Sequence, residues 1–266
     1  MSKSKVSKLP KISIVIPSLN KANFIKETLE SIVNQDYPNL EVIIQDGGSI
    51  DRTVQIIKKY ADKYPEIVNW ESSKDKGQVN AIKKGLKKAK GQILTYINAD
   101  DLYEKEALKK VGEYFVNNPK TLWLAGKGRV INSEGKVIAE RVTTYKNFLL
   151  NLNSYILLLI VNYLVQPSVF ISRSAYEKYG PFTGSKSGVM EYDLWLKLGK
   201  IQMPKVLKET FASFRLTKGS LSTVNFENIL SEDYKIANKY TKDPIILFFH
   251  WLHNLGRVIT LYTSRL

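Results

Sequence analysis

The first hundred residues alternate short apolar runs with segments whose apolar residues recur at helical spacing, and this alternation restricts the fold more than any other feature. The apolar runs predict four strands, at Ile12 to Ile16, Leu40 to Ile44, Ile67 to Trp70 and Ile93 to Ile97. Amphipathic segments that predict helices follow the first three runs. Strands that alternate with helices indicate a parallel sheet with right-handed crossovers.

The second half of the chain is less regular. Three further strands are predicted, at Leu122 to Ala125, Val130 to Ile131 and Val169 to Ile171. Residues 133–136 are typical of a hairpin turn, and Met190 to Leu198 has the pattern of a helix. Ser174 and Glu177 have the spacing of a capping box, which predicts a short helix that begins there.

Polar and turn-forming residues follow each of the first four strands. These clusters are Pro17 to Asn20, Asp46 to Ser49, Asp75 to Gln78 and Asn98 to Asp101. Ligands of open parallel sheets bind beyond the carboxyl ends of the strands, where these clusters lie. Any single cluster could be a loop that caps a helix. Four in succession predict a ligand site at this edge.

The loop after the first strand excludes two common nucleotide sites. A dinucleotide-binding fold needs glycines there, and Pro17 to Asn20 contains none. A phosphate loop that ends in Gly-Lys-Ser or Gly-Lys-Thr is also missing. A nucleotide at this edge must therefore be held in another way.

Asp100 and Asp101 suggest that other way. Two adjacent carboxylates after an apolar strand repel each other unless a cation lies nearby. A divalent ion with oxygen ligands would relieve the repulsion and bridge to a diphosphate. The alternative is that one Asp caps a helix that begins near Leu102 while the other faces solvent.

The formal net charge is +15. Anionic membranes, nucleic acids and phosphorylated substrates all fit such a charge, and so does a solvated lysine-rich surface. Five lysines recur at helical spacing and predict a ridge rather than a pocket, namely Lys83, Lys84, Lys87, Lys88 and Lys90. Because no zinc-finger, helix-turn-helix or aromatic-interleaved basic pattern accompanies them, no nucleic-acid partner is expected.

Cysteine is absent from the sequence, which excludes a disulfide framework and thiolate zinc sites and fits a reducing compartment. The basic segment Met1 to Lys11 is not followed by the apolar run of a signal peptide. Both observations predict a cytoplasmic location.

Taken in order, these motifs resemble family 2 of the inverting glycosyltransferases, which have the GT-A fold. The resemblance is carried first by Ile12 to Asn20, Glu41 to Ser49 with Asp51, Asp75 to Gln78 and Asn98 to Asp101, and then by Gln166 to Phe170 with Arg173, Gly180 to Phe182 and Glu191 to Trp195. It implies an α/β fold of the GT-A type, with a Rossmann-like, mostly parallel sheet flanked by helices and a C-terminal helical extension. The catalytic domain would span residues 1–222, with a nucleotide-sugar half at about 10–101 and an acceptor half at 102–222, and the extension would span 223–266.

The resemblance also assigns roles at the four strand ends. The donor nucleotide sugar would contact Pro17, Ser18, Asn20, Asp46, Asp75, Gly77, Gln78 and Asp100. Asp46 would accept a hydrogen bond from the base, which suits a uracil imide, and Asp75 with the turn at Gly77 would close the pocket. Asp101 would be the direct ligand of a Mn²⁺ or Mg²⁺ ion, and Asp100 would contact the ribose or the metal.

Inverting transfer also needs a base that takes the proton of the acceptor hydroxyl. The resemblance places this base at Glu191, where relatives usually have Asp, and Asp193 remains the alternative. Both acids could instead favour a helix N-terminus. A second departure is Thr217, which stands where relatives often have a histidine that contributes to the metal site. Here the metal would be held more weakly, or water and diphosphate would complete that site.

The last predicted helix begins at Asp243-Pro244, with Pro at its first position. Between residues 245 and 262 the polar side chains form one stripe, which consists of His250, His253, Asn254, Arg257 and Thr260. The remaining arc is apolar and rich in aromatic residues. Such a helix lies in a membrane interface or packs on the catalytic domain or a second subunit, and the basic charge of the chain favours the membrane. The two histidines are expected at a surface or an interface rather than as metal ligands.

The sequence therefore predicts a metal-dependent glycosyltransferase at the cytoplasmic face of the membrane. It would transfer a hexosyl or N-acetylhexosaminyl group from a nucleotide-diphosphate sugar, expected to be a UDP sugar, to a lipid-linked or growing glycan. One alternative is a sugar nucleotidyltransferase, which should carry a glycine-rich basic loop that this chain lacks. Another is a non-catalytic scaffold, although the intact Asp100 and Asp101 speak against it. The sequence does not specify the sugar, acceptor, linkage or oligomeric state, and an oligomer is compatible with it.

Overall fold

A computed structural model of the chain describes residues 9–182, 189–217 and 226–263. The side chains of residues 226–227 and 259–263 are not described, so Thr260 of the polar stripe and the domain boundary expected at residue 222 lie outside the described part.

Nine strands of the described chain form one mixed sheet in the order β3-β2-β1-β4-β8-β6-β9-β5, with β7 paired to β6. The strands are β1 Ile12–Ser18, β2 Leu40–Asp46, β3 Val68–Ser72, β4 Ile93–Tyr96, β5 Leu102–Tyr103, β6 Trp123–Ile131, β7 Val137–Ile138, β8 Val169–Ser172 and β9 Lys205–Arg215. The first four strands pair in parallel, as the alternating pattern predicted. Strands β8, β7 and β5 add antiparallel pairs, whereas β9 runs parallel to β6.

Helices cover both faces of this sheet. They are α1 Ile25–Val33, α2 Thr53–Lys63, α3 Gln78–Lys88, α4 Ala107–Asn117, α5 Glu140–Leu152, α6 Tyr155–Ile160, α7 Arg173–Tyr179, α8 Met190–Ile201, α9 Phe226–Tyr240 and α10 Pro244–Thr263. Successive residues of β1 and β2 alternate between two cores, as side chains of a strand must. Helices α1, α2 and α4 pack on one core, and α3 and α5 to α9 pack on the other.

Strand β6 is one strand of nine residues, whereas the sequence predicted two short ones. It remains continuous because its glycines allow close packing. A Cβ on Gly126 would lie 2.3 Å from the Phe211 ring, and one on Gly128 would lie 2.4 Å from Val165. The pairing with β9 shifts register on either side of Lys127 to accommodate this stretch. The hairpin turn expected at residues 133–136 is confirmed, since Asn132 N–H donates to Lys136 O across it.

The predicted capping box at Ser174 and Glu177 is wrong. Helix α7 begins at Arg173, and its N-cap is Ser172, whose side chain accepts a hydrogen bond from Ala175 N–H over 3.2 Å. Strand β8 runs directly into this cap, so Ser174 already lies inside the first helical turn. Glu177 instead contacts Arg173 over 3.4 Å.

Helix α10 begins at Pro244, as predicted, and Asp243 Oδ1 accepts from Ile245 N–H over 2.8 Å. Its polar stripe faces the protein: His250 and Asn254 are buried, and His250 Nδ1 lies 2.8 Å from Leu159 O of α6. The stripe therefore holds α10 onto the domain. None of the helices in the described ranges combines the length and apolar character that would let it cross a membrane.

Arg257 fastens α10 to α9 through Asp233, at 3.1 Å between Nη1 and Oδ2. The Asp233 side chain is only 4% exposed, and burial raises its pKa. We expect Arg257→Met to lower the free energy of unfolding by about 2–3 kcal/mol, because it removes the partner of a buried charge while Arg257 itself is only partly exposed. Urea unfolding measures this loss.

The control for this expectation is the double variant Asp233→Leu/Arg257→Met. Replacing both partners removes the uncompensated charge, so stability should partly recover. A single Arg257→Met variant as stable as the parent would show that this pair does not hold α10 in place.

Candidate functional site

The loops that follow β1 and β2 are tied into one wall at the carboxyl edge of the sheet. Gly47 N–H donates to Ser18 O over 2.8 Å. Asn20 joins the loops twice, since its N–H donates to Ser49 Oγ over 2.7 Å and its Oδ1 accepts from Ile50 N–H over 3.0 Å. The backbone of Asn20 is left-handed, with φ of 50°, a conformation that asparagine tolerates better than most residues. This wall contains the first group of predicted donor residues, Pro17, Ser18 and Asn20.

Asp46 is buried at the end of β2 and organises the loop that follows it. Its Oδ2 accepts hydrogen bonds from Gly48 N–H at 3.1 Å, Ser49 N–H at 2.8 Å and Ser72 Oγ at 2.7 Å. Ser49 Oγ also lies 2.5 Å from Oδ1. Such charge-assisted bonds fix the loop firmly. The hydrogen bond from Asp46 to a base stays a prediction.

Asp75 closes the third loop onto the second. Its Oδ1 accepts from Gly77 N–H over 2.7 Å, and a Cβ on Gly47 would lie 3.3 Å from the same oxygen. Gly77 has φ of 98°, which favours glycine at this turn. The structure therefore brings the Asp75 carboxylate to the loop after β2. That Asp75 and the turn at Gly77 close a donor pocket stays a prediction.

Asp101 is fully buried and held by two donors. Its Oδ1 accepts from Arg215 N–H over 2.7 Å, and its Oδ2 accepts from Asn98 Nδ2 over 3.0 Å. Gln78 Nε2 donates in turn to Asn98 Oδ1 over 2.6 Å, so this predicted donor residue also supports Asp101. Burial, together with the carboxylate of Asp100, raises the pKa of Asp101 well above its usual value. A cation bound at this pair would stabilise the ionised form of Asp101 and so lower its pKa.

Asp100 already faces one cation, since Lys21 Nζ lies 2.5 Å from its Oδ2. No group of three or more His, Cys, Asp or Glu side chains that could hold a metal ion occurs within the described ranges. The chain can therefore offer an ion the oxygens of Asp100 and Asp101, and further ligands would have to come from a substrate or water. Two hard carboxylate ligands of this kind fit Mg²⁺ or Mn²⁺, which often share their coordination with phosphates.

Arg215 fixes the backbone around the Asp pair. Its buried guanidinium donates from Nε to Asp100 O over 2.8 Å and contacts Glu27 Oε2 through Nη2 at 2.5 Å. It also bonds Asn132 O and Ser133 O in the β6–β7 turn. The C-terminal end of β9 thus holds the carboxylate of Asp101 and the backbone of Asp100 in place.

Glu191 lies in the first turn of α8 and is brought against β4. Its Oε2 accepts a hydrogen bond from the Tyr96 hydroxyl at 3.3 Å, and Tyr96 O accepts from Gln166 Nε2 at 2.7 Å. Burial raises the pKa of Glu191. Tyr96 is the last residue of β4, so the candidate base contacts the strand that leads to Asp100 and Asp101.

Asp193 is buried on another side of the same helix and faces α9. Its Oδ1 lies 3.1 Å from the Tyr240 hydroxyl and 3.7 Å from Lys239 Nζ. The two acids that the sequence left open as a base are therefore separated by the structure. Glu191 faces β4, the strand that leads to the acidic pair, whereas Asp193 contacts α9.

Three residues of this site were not identified as site residues from the sequence: Lys21, Tyr96 and Arg215. Lys21 directly follows the first polar cluster, so a basic residue after the strand was the available signal. Arg215 lies two residues before Thr217, the position where relatives often have a histidine. Tyr96 had no local signal, because only the packing of α8 gives its hydroxyl a partner.

The family model described as Glycosyl transferase family 2 matches residues 13–180. The probable glycosyltransferase YdaM of Bacillus subtilis is 32% identical over 133 residues, which are 48% of this chain and 32% of YdaM. The Escherichia coli protein WfgD, a UDP-Glc:alpha-D-GlcNAc-diphosphoundecaprenol beta-1,3-glucosyltransferase, is 24% identical over 249 residues, which are 91% of each chain. The chain thus spans most of WfgD but only about a third of YdaM.

Solved structures show the same fold. The mannosyltransferase PcManGT from Pyrobaculum calidifontis, in complex with GDP-Man and Mn²⁺, is similar with a TM-score of 0.71 and 19% identity over 97% of this chain and 74% of that chain. S. aureus TarS 1–349 in complex with UDP has a TM-score of 0.58 and 18% identity over 86% of this chain and 70% of that chain. The predicted GT-A architecture is confirmed, and the family model covers more than half of the sequence. The chain therefore belongs to glycosyl transferase family 2.

Proposed function

We propose that the protein transfers a sugar from a UDP sugar to an acceptor hydroxyl with inversion at the anomeric carbon. The observation that carries this proposal is that three parts are connected through β4 and the loops at its carboxyl end. These are the wall formed by the loops after β1 and β2, the acidic pair, and the buried carboxylate of Glu191. The UDP complex of TarS and the UDP-glucose donor of WfgD support a uridine nucleotide.

The β1 and β2 loops would bind the nucleoside, and the acidic pair would hold a divalent ion against the diphosphate. A bound Mn²⁺ or Mg²⁺ supplies charge neutralisation for the departing diphosphate. Asp101 is prepared for this role because Arg215 and Asn98 orient both of its oxygens. Lys21 adds a positive charge on the same side. The Mn²⁺ in the PcManGT complex supports this arrangement.

Glu191 would accept the proton of the attacking hydroxyl. Burial raises its pKa, which makes the ionised carboxylate a stronger base than a solvated one. The hydroxyl of Tyr96 donates to one carboxylate oxygen and so orients the carboxyl group. Asp193 is a weaker candidate because its carboxylate is engaged with α9.

The acceptor would be a lipid-linked or growing glycan of the cell surface, bound at the cytoplasmic face of the membrane. WfgD acts on a diphosphoundecaprenol-linked sugar, and TarS acts on poly(ribitol-phosphate). Peripheral association through residues 245–262 is supported by the exposed aromatic side chains of α10, among them Phe248 and Trp251.

A thermal-shift screen tests the donor and the metal together. We expect UDP and UDP sugars to raise the melting temperature when Mn²⁺ is present, with a smaller shift for GDP and GDP sugars, because selective binding stabilises the native state by mass action. Mn²⁺ alone should give a small shift. Equal shifts for all nucleotides, or a shift that EDTA does not change, would contradict the uridine or the metal assignment respectively.

A further inference from the structure

Helix α5 and the start of α6 expose a row of apolar side chains. The row consists of Val142, Tyr145, Phe148, Leu152 and Ile156, each 43–58% exposed. Four of them recur three, three and four residues apart on α5, which places them on one face of that helix. Leu149 and Leu150 of the same helix are buried in the core. Large apolar residues that are exposed in succession mark an interaction surface.

This row adjoins the exposed face of α10. The ring of Tyr145 packs against the ring of His253, with 6.2 Å between their centroids. His250 of α10 also contacts Leu159 O of α6 at 2.8 Å. On the outer side, α10 exposes Ile245, Phe248, Phe249, Trp251, Leu252 and Leu255. Two apolar faces from distant parts of the sequence therefore lie side by side, and we call them together the α5–α10 surface.

The charge of the whole chain and the lack of acidic residues on α10 are suited to an anionic partner. Helix α10 contains no Asp or Glu, and α5 carries the exposed Arg141 beside the single Glu140, whereas the amine of the half-buried Lys146 donates to Leu164 O. The whole chain carries +15. The aromatic rings of Phe248, Phe249 and Trp251 also contact one another while they remain exposed. An aromatic apolar face in a basic setting is the composition that binds anionic lipid headgroups.

The α5–α10 surface is connected to the proposed base. Tyr192, the residue after Glu191, donates its hydroxyl to Leu158 O at 2.8 Å and Leu159 O at 3.0 Å. Leu159 O is the same carbonyl that His250 contacts. Helix α6 thus lies between the helix that carries Glu191 and the helix that carries most of the exposed aromatic rings. A partner that binds the α5–α10 surface therefore has a fixed position relative to Glu191.

We propose that the α5–α10 surface seats the protein on an anionic bilayer, so that a lipid-anchored acceptor reaches Glu191 from the membrane side. This inference rests on the proposed function. It adds α5 and α6 to the membrane contact, which the sequence predicted for α10 alone. The substrate class that follows is a sugar acceptor anchored in the bilayer.

Flotation with vesicles of phosphatidylglycerol and phosphatidylcholine tests the contact. We expect Phe148→Ser/Leu152→Ser to lower the partition coefficient by roughly tenfold or more, since two apolar side chains no longer become buried. Phe248→Ser/Trp251→Ser should have a similar effect. The control is Ile50→Ser, which removes a side chain that is 93% exposed in the loop after β2, outside the α5–α10 surface. It should float like the parent, and all variants should keep the parent melting temperature.

The salt dependence of vesicle binding separates its electrostatic part from its apolar part. High salt should weaken binding of the parent without abolishing it, because only the electrostatic part is screened. If Phe148→Ser/Leu152→Ser floats like the parent, α5 does not contact lipid and the proposal is wrong. If the parent is a dimer without vesicles and the same substitutions make it monomeric, the surface is an interface between copies and the proposal is equally overturned.

Two activity measurements separate this inference from the proposed function. Transfer to a polyprenyl-diphosphate sugar in the same vesicles should fall by roughly tenfold in Phe148→Ser/Leu152→Ser, in step with binding. Hydrolysis of the UDP sugar, which needs no acceptor, should not change. A parent protein that binds vesicles but neither hydrolyses nor transfers from any nucleotide sugar would refute the proposed function and leave the membrane contact standing. Unchanged transfer from vesicles in the variant would refute the acceptor route.

Discussion

Asp101→Asn is expected to abolish sugar transfer and to remove the effect of Mn²⁺ on donor binding. The loss should be on the order of 10³-fold or more, because a metal ion at the diphosphate contributes several kcal/mol of charge stabilisation. The variant should stay folded, since the amide oxygen can still accept from Arg215 N–H and the substitution removes a buried charge. Turnover assays with Mn²⁺ and EDTA, together with thermal shifts by UDP, measure both effects.

Two further variants make this test specific. Asp62→Asn removes an exposed carboxylate of α2 and should leave turnover and metal response unchanged. Asp100→Asn should also reduce turnover, but with some metal response left, because Asp101 remains as the direct ligand. If Asp100→Asn removes the metal response and Asp101→Asn keeps it, the two carboxylates must exchange roles. If Asp101→Asn turns over like the parent, the assignment of Asp101 as a metal ligand is wrong.

The donor edge of the sheet could be predicted from the sequence because its determinants are local. Each of β1, β2 and β4 is a short apolar run followed at once by polar residues, so both the strand and its functional end can be recognised in a few residues. Ser18 and Asp46 are direct partners in the parallel register, which is why their loops meet. The contacts inside this edge, such as Lys21 with Asp100, needed the folded chain because the two residues are far apart in sequence.

The features that the sequence left open or predicted wrongly depend on neighbours distant in sequence. Ser172 caps α7 in place of Ser174 because β8 ends there, which its pairing with β4 and β6 determines. The polar stripe of α10 showed that the helix is amphipathic but not which face it turns inward. Buried polar contacts to Leu159 O and Asp233 decide that it is the polar face. The polar side chains of α10 meet buried polar groups of the domain, and each buried polar group needs a hydrogen-bond partner, which explains this orientation.

This orientation also changes how the membrane contact should be tested. Deleting residues 244–266 would remove Arg257 and leave Asp233 buried without that ion pair, so the truncated protein is expected to lose stability. Loss of vesicle binding in such a truncation would then have two explanations. Substitutions on the outer face of α10, such as Phe248→Ser/Trp251→Ser, avoid this problem because those side chains make no buried polar contact.

Glu191→Gln is expected to lower turnover by a factor on the order of 10² or more while donor binding changes little, because the variant loses only the group that accepts the acceptor proton. Burial raises the pKa of Glu191, and the base is active only when it is ionised. In the parent, kcat/KM should therefore fall as the pH drops through this raised pKa, and the acid limb should disappear in the residual activity of Glu191→Gln.

Asp193→Asn is the matched comparison, two residues away on the same helix. Its carboxylate contacts Tyr240 and Lys239 of α9, so we expect a lower melting temperature with turnover within a few-fold of the parent. The turnover of Tyr96→Phe should lie between those of Glu191→Gln and Asp193→Asn. This substitution removes the hydroxyl that orients Glu191 but keeps the buried ring. If Asp193→Asn abolishes turnover and Glu191→Gln is mild, the proton passes to Asp193, and the contacts of Asp193 with α9 must open when the acceptor binds.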